Sequence, residues 1–250
     1  MKILIIPDVH SRKFWLNAKE EIDNFDKIIF LGDYVDPYFD EPVNTLYENP
    51  YDCLKEIIDF KNNNKDKVIL LLGNHDLHYL WNNFPESTRY NRYLARNYYG
   101  AIVDNSKLFN IGWLENDVIF SHAGITEFWK NKLAELLDRK EYSYLDAGEF
   151  LKNINIFKFD SKLRGILGMV SKYRGGYWES GSCVWADVRE HIESVTDHTI
   201  IPKEYEECFQ VFGHTQLKNK PLIYNTWACL DCRKMFIIDT ITHEIIEYES

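Results

Sequence analysis

The chain has 250 residues, 45% hydrophobic and 27% charged, enough to bury the core of one large globular domain. Its formal charge of −10 argues against naked nucleic acid as a partner, because non-specific binding needs a basic face. No apolar run approaches the roughly 18 residues of a membrane span, and the apolar start Met1 to Pro7 meets Asp8, His10 and Arg12 at once, unlike a signal peptide. The five cysteines form no framework pattern, so a reducing cytoplasmic location is expected. The Cys229–Cys232 pair reads as two buried thiols in a strand-like stretch, where positions i and i+3 face opposite ways.

In chain order, residues 2–7 predict a buried strand and 14–25 a helix, from the spacing of Phe14, Leu16, Ala18, Ile22 and Phe25. A second buried strand is expected at 27–31, ending at Gly32. Residues 37–50 form a loop rich in Pro, Asp and Asn. A helix at 51–63 follows, and a third strand at 67–72 ends at Gly73. This β-α-β-α-β order with continuously apolar strands argues for an α/β fold. The aromatic-rich stretch 77–100 reads as helical core, and 101–113 and 117–121 as strands joined at Glu115-Asn116. Residues 126–182 read as a mostly helical insertion, after which strands are expected at 208–212, 222–224, 227–231, 234–239 and 243–248. With no repeat or linker, the whole chain, 1–250, is expected to be one domain with a cap insertion at about 126–182.

Five motifs carry chemistry: Asp8-Val9-His10, Gly32-Asp33-Tyr34-Val35-Asp36, Gly73-Asn74-His75-Asp76, Ser121-His122-Ala123-Gly124 and Gly213-His214-Thr215. Each holds Asp, Asn or His, donors that divalent ions accept. Most follow a predicted strand, and ligands of open α/β sheets bind beyond the carboxyl ends of the strands. Asp33 is placed to bridge two ions, Asp8 and His10 to face the first, and Asn74, His122 and His214 to close on the second. Two ions would bring roughly +4 into one cleft and let an acidic protein hold a phosphate.

These motifs, in this order, resemble the calcineurin-like metallophosphoesterase superfamily, nearest its phosphoprotein phosphatase and symmetrical diadenosine tetraphosphatase branch. Val184-Trp185-Ala186-Asp187 resembles the tryptophan motif of that branch. The resemblance implies a sandwich of two mixed β-sheets flanked by helices. It also implies hydrolysis of a phosphomonoester or phosphoanhydride by a metal-bridging hydroxide. Asp8, His10 and Asp33 would bind one metal, and Asp33, Asn74, His122 and His214 the other. Gln216 stands where many members of the wider superfamily have a further histidine. His75 would protonate the leaving oxygen, with Asp36 orienting it. Two divalent ions are the implied cofactors, with manganese favoured and iron or zinc as alternatives.

One position departs from the pattern. The arginine expected after Asp36, a phosphate clamp, is Pro37, which cannot replace it. Arg12, Arg174 and Arg189 are the sequence candidates for phosphate contact. Trp178 and Tyr177, beside two glycines, are candidates to line a cleft. His78 is more simply a helix-surface histidine, and the acidic cluster of Asp36, Asp40 and Glu41 a solvated loop. His191, His198 and His243 lie outside the motifs and take no role. The expected substrate is a phosphorylated one, a phosphoprotein, a nucleotide or a small phosphoester, with a Ser/Thr-type protein phosphatase as one form of the activity. The alternatives are a dinucleoside polyphosphate hydrolase and a catalytically silent binding scaffold. The oligomeric state stays open.

Overall fold

In the computed structural model, residues 1–140, 145–156, 158–196 and 208–249 are described, and His198 lies outside them. The chain divides into two compact units, Met1–Asn110 with Cys232–Ser250, and Ile111–Asp231.

In the first unit, β1 (Lys2–Ile6), β2 (Lys27–Phe30), β3 (Val68–Leu71) and β4 (Phe109–Asn110) run parallel, with Ile3 opposite Lys27 and Ile28 opposite Val68. Their side chains are almost all buried, as expected of strands covered on both faces. The short α1 (Asn17–Glu20) and a 3₁₀ turn at Ile22–Asn24 occupy the region expected to be one helix. Only Ala18 of α1 is buried, and no side chain caps its start, so little holds a longer helix together.

The next helix, α2 (Pro50–Asn63), is built as the sequence suggests. Asn49 caps it by accepting from the Tyr51 N–H, Pro50 opens it, and Leu54, Ile57, Ile58 and Phe60 form its buried face. Phe60 meets Trp15 and Phe30 in an aromatic cluster. After the single-turn α3 (Asn74–Leu77), residues 78–94 are mostly turns, and α4 spans Ala95–Asp104. The expected long helix at 77–100 and strand at 101–113 are therefore replaced by a loop, a helix and the short β4. Tyr98 and Ile102 are the buried positions of α4, four apart, and that helical spacing outweighs the strand propensity of Ile102-Val103.

In the second unit, β5 (Gly112–Glu115) pairs antiparallel with β6 (Val118–Ser121). The helices α5 (Glu127–Leu136), α6 (Ala147–Ile156), α7 (Ser161–Leu167) and α8 (Val188–Thr196) follow. Three of them fall within the expected helical insertion. The α6 helix is tied to β5 by Asn155, whose side chain accepts from the Ile111 and Gly112 N–H groups and donates to the Gly112 carbonyl. Then β7 (Phe209–Phe212) pairs parallel with β6, β8 (Leu222–Ile223) pairs antiparallel with β9 (Trp227–Cys229), and β9 runs parallel to β7.

The chain returns to the first unit with β10 (Phe236–Asp239), antiparallel to β1, and β11 (Ile245–Glu247). Among the described residues the sheet orders are β11-β10-β1-β2-β3-β4 and β5-β6-β7-β9-β8. Both are mixed and flanked by helices, so the expected fold class stands. No described helix is long and apolar enough to cross a membrane. The cysteines are free thiols, and all but Cys208 are buried.

Candidate active site

In the first unit the parallel strands β1, β2 and β3 end together, and their exit loops carry Asp8 and His10, Asp33 and Asp36, and Asn74 and His75. His10, Asp33 and Asp36 all adopt left-handed backbone, with φ of 44°, 52° and 59°. Asp and His enter that region more readily than most residues, and functional sites collect such strain. Gly32, with φ of 107°, allows the β2 exit to touch the β3 exit: a Cβ there would lie 2.5 Å from the Gly73 nitrogen.

Asp76 fastens these loops. It is fully buried, and it accepts from the N–H groups of Asp33 (2.8 Å), Gly73 (2.9 Å) and Tyr34 (3.0 Å). The His75 N–H in turn donates to the Asp33 carboxylate at 2.9 Å. The two loops therefore hold each other through carboxylates on backbone amides.

The donor set suits a cation. Asp8 and Asp33 are both buried. Burial, and next the nearby charge of Asp8, pushes the Asp33 carboxyl well above its usual range. An added positive charge would relieve both effects. The His10 Nδ1 faces the Val35 carbonyl at 2.9 Å, and Nε2 lies 3.5 Å from the Asp33 carboxylate. Burial, reinforced by nearby cationic groups, holds the His10 imidazole well below its usual pKa. A neutral ring donating Nδ1–H to the carbonyl directs the Nε2 lone pair toward Asp33, the tautomer a metal ligand needs. Asn74 donates through Nδ2 to the Ser87 hydroxyl at 2.7 Å, which fixes the orientation of its amide.

Beside this set lies a dense polar network. The Asp36 carboxylate receives His75 Nδ1 at 2.8 Å and His78 Nε2 at 2.9 Å, and Tyr79 donates its hydroxyl to the other oxygen. Burial acts to raise the Asp36 carboxyl, but the two histidine hydrogen bonds outweigh it and hold its pKa below the usual value. The His75 imidazole is pushed down to about 4, chiefly by burial and against the pull of Asp36. The expected His75–Asp36 contact is thus present. His78, which the sequence leaves as a surface residue, is buried and belongs to the same network. Its spacing of three from His75 is the signal that could have placed it there.

In the second unit, the parallel strands β6 and β7 end at His122 and His214, and the Gly213 N–H donates to the His122 carbonyl. His122 Nε2 and His214 Nδ1 lie 3.1 Å apart, close enough to share one ion or proton. The His214 backbone is left-handed, with φ of 64°, and its ring meets the edge of Trp185.

The sequence-named arginines all meet carboxylates. Arg12 pairs with Glu41 at 2.9 Å and donates to the Asp8 carbonyl. Arg174 and Arg189 both pair with Asp187, and Arg174 also donates to the His214 carbonyl and the Thr215 hydroxyl. Trp178 is partly exposed and Tyr177 fully so.

The model of the calcineurin-like phosphoesterase family matches residues 1–216 of this chain. The chain belongs to the calcineurin-like phosphoesterase family. It is accordingly a metal-dependent phosphoester hydrolase, from a family that uses divalent metals. No curated protein matches it. Among solved structures, it is similar to a cold-active protein-tyrosine phosphatase of a psychrophilic Shewanella species. That comparison has 15% identity and a TM-score of 0.57, and covers 99% of this chain and 80% of that one. A second structure, of a cold-active protein tyrosine phosphatase, gives 17% identity and a TM-score of 0.55 over 98% and 78% of the two chains. These likenesses establish the shared fold.

Proposed function

We propose that the chain is a phosphatase of phosphorylated proteins that works with two divalent ions, manganese being the favoured metal. The observation that carries this reading is the convergence of His10 and Asp33, backed by Asp8, at the ends of neighbouring parallel strands, with the His75–Asp36 pair beside them. On motif order, Asp8, His10 and Asp33 are assigned to the first ion, and Asp33, Asn74, His122 and His214 to the second. Bound ions of this kind supply Lewis acidity and a water acidified enough to attack phosphorus near neutral pH.

The residues of the chain supply positioning and proton transfer. Asp36 holds His75 by Nδ1, which leaves Nε2 to face a leaving oxygen. In the free protein burial keeps this imidazole neutral at pH 7. A phosphoryl anion arriving beside it would raise its proton affinity, which couples loading of the acid to substrate binding. The hydrogen bonds of His75 and His78 keep Asp36 ionised, and the Tyr79 hydroxyl helps to fix it. The described fold of a protein-tyrosine phosphatase and the tryptophan motif at Val184 to Asp187 favour a phosphorylated protein side chain. The motifs at Asn74, His122 and His214 keep a dinucleoside polyphosphate as the competing substrate. A silent scaffold is disfavoured because every expected metal ligand is present.

The test is hydrolysis of an aryl phosphate by the purified protein with and without added manganese. Manganese-dependent release, lost in Asp33→Asn with folding intact, supports the reading. Absence of hydrolysis of aryl phosphate, phosphopeptides and diadenosine tetraphosphate by the manganese-loaded protein would overturn it. If only diadenosine tetraphosphate is cleaved, the competing substrate class is correct.

A further inference from the structure

Arg89 is unlike the arginines that pair with carboxylates. It sits in the turn region between α3 and α4, half-buried, with left-handed backbone (φ 68°). No carboxylate pairs with it among the described residues, whereas Arg12 and Arg233 share Glu41, and Arg174 and Arg189 share Asp187. Its charge is felt by the Asp33 carboxylate, but no described carboxylate is hydrogen-bonded to it, so its terminal N–H groups remain for an arriving anion.

Its surroundings hold it rigidly. The guanidinium lies over the Tyr38 ring, 3.7 Å from the centroid. Nε donates to the Asp36 carbonyl at 3.1 Å and Nη1 to the Thr88 hydroxyl at 3.1 Å. Nη2 lies 3.4 Å from His75 Nε2. The segment on either side is fastened as well. The Ser87 N–H donates to His78 Nδ1 at 3.1 Å, and the Asn91 N–H to the Tyr79 oxygen at 2.7 Å. Two of the five guanidinium N–H groups are left over from these contacts. They belong to the terminal nitrogens, the geometry that grips two oxygens of one phosphoryl group.

The neighbouring sequence explains why this arginine is needed. Pro37 cannot donate a hydrogen bond, but Tyr38 next to it supplies the flat surface on which Arg89 stacks. The guanidinium therefore reaches the edge of His75 from a different segment of the chain.

We infer that Arg89 is the phosphoryl-binding cation of this enzyme, taking the place left empty by Pro37. It contacts the non-bridging oxygens of the phosphoryl group while His75 Nε2 faces the leaving oxygen. It transfers no proton and acts by hydrogen bonding and charge. This inference rests on the phosphoesterase reading for the substrate it binds, but the anion site itself can be measured without turnover.

The experiment is calorimetric titration of inorganic phosphate into the manganese-loaded wild type and the Arg89→Ala, Arg89→Met and Arg89→Lys variants, with manganese content and melting temperature recorded. The expected result is a roughly 10- to 100-fold weaker phosphate affinity in Arg89→Ala and Arg89→Met. Manganese content should stay unchanged, and Arg89→Lys should recover part of the affinity. Where the alanine variant does not fold, the methionine and lysine variants decide. Three results overturn the inference: no phosphate binding by the wild type, affinity within twofold of wild type in the folded variants, or joint loss of metal and phosphate that lysine does not restore. Hydrolysis is measured alongside. An Arg89-dependent phosphate site in a protein that hydrolyses no phosphoester would refute the proposed function alone. Hydrolysis and phosphate affinity both indifferent to Arg89 would refute this inference alone.

Discussion

Asp76 illustrates how much of the site depends on a residue that touches no substrate. Its carboxylate accepts three buried backbone N–H groups, and those hydrogen bonds set the position of Asp33. Each buried donor left unsatisfied costs about 1–3 kcal/mol. Asp76→Ala should therefore lower unfolding stability by roughly 3 kcal/mol or more in a denaturant titration, and weaken manganese binding with it. His75→Ala separates the acid from the metal set: kcat should fall about 10²- to 10⁴-fold, with manganese binding retained, and an unchanged kcat would remove the general-acid assignment. At this scale the sequence was informative where donors fall in short motifs. Asp8, His10, Asp33 and Asn74 are named by their neighbours in the chain. Arg89 was invisible, because its key contact lies 53 residues away, at Asp36, and nothing about an isolated arginine in a polar stretch announces it. The full network around Asp36 was hidden for the same reason, since Tyr79 and Asn91 meet only through the turns of residues 78–94.

The strands do their positioning through their last residues. β1, β2 and β3 were legible as continuous apolar runs, and parallel pairing puts their exits side by side. Gly32 is where those exits touch, so Gly32→Ala combines left-handed backbone strain with a contact no Cβ can accept. Circular-dichroism melting should show a loss of about 2 kcal/mol or more, and metal affinity should drop with it. Asn49→Ala is the contrasting case: it removes the α2 cap, far in role from the chemistry, and should cost about 1 kcal/mol while leaving manganese-dependent activity unchanged. The helical half of the reading was weaker. α4 was partly taken for a strand because Ile102-Val103 carries strand propensity, while Tyr98 and Ile102 bury one helical face. The stretch 78–94 was taken for helix because its aromatics are abundant, yet they serve a turn-rich wall around Asp36, where Tyr79 stacks on Tyr90.

At the scale of the whole molecule, buried neutral histidines make stability depend on pH. His191 is buried against the Ala123 carbonyl, and burial pushes its pKa down to about 4. In the unfolded chain a histidine titrates near 6.5. Between those values the unfolded state binds the extra proton, so the contribution of His191 is fully present above about 6.5 and is lost as pH falls toward 4. The loss is at most about 1.4 kcal/mol per pH unit for each such group, and His10 and His75 add to it in the same direction. The raised Asp33 carboxyl acts in the opposite direction, so the check compares wild type with His191→Gln after chelator treatment. Urea titration at each pH should show the wild type losing more stability than the variant across pH 6.5 to 4, and equal losses would show that the His191 ring is not held neutral. Family membership accounts for the metal dependence, and the net charge of −10 makes bound cations the natural means of admitting a phosphate. The most direct test of that account is a calorimetric titration of manganese into the chelator-treated chain. Two ions should bind per chain, with both affinities reduced in Asp33→Asn. Failure to bind manganese, or binding indifferent to Asp33, would contradict it.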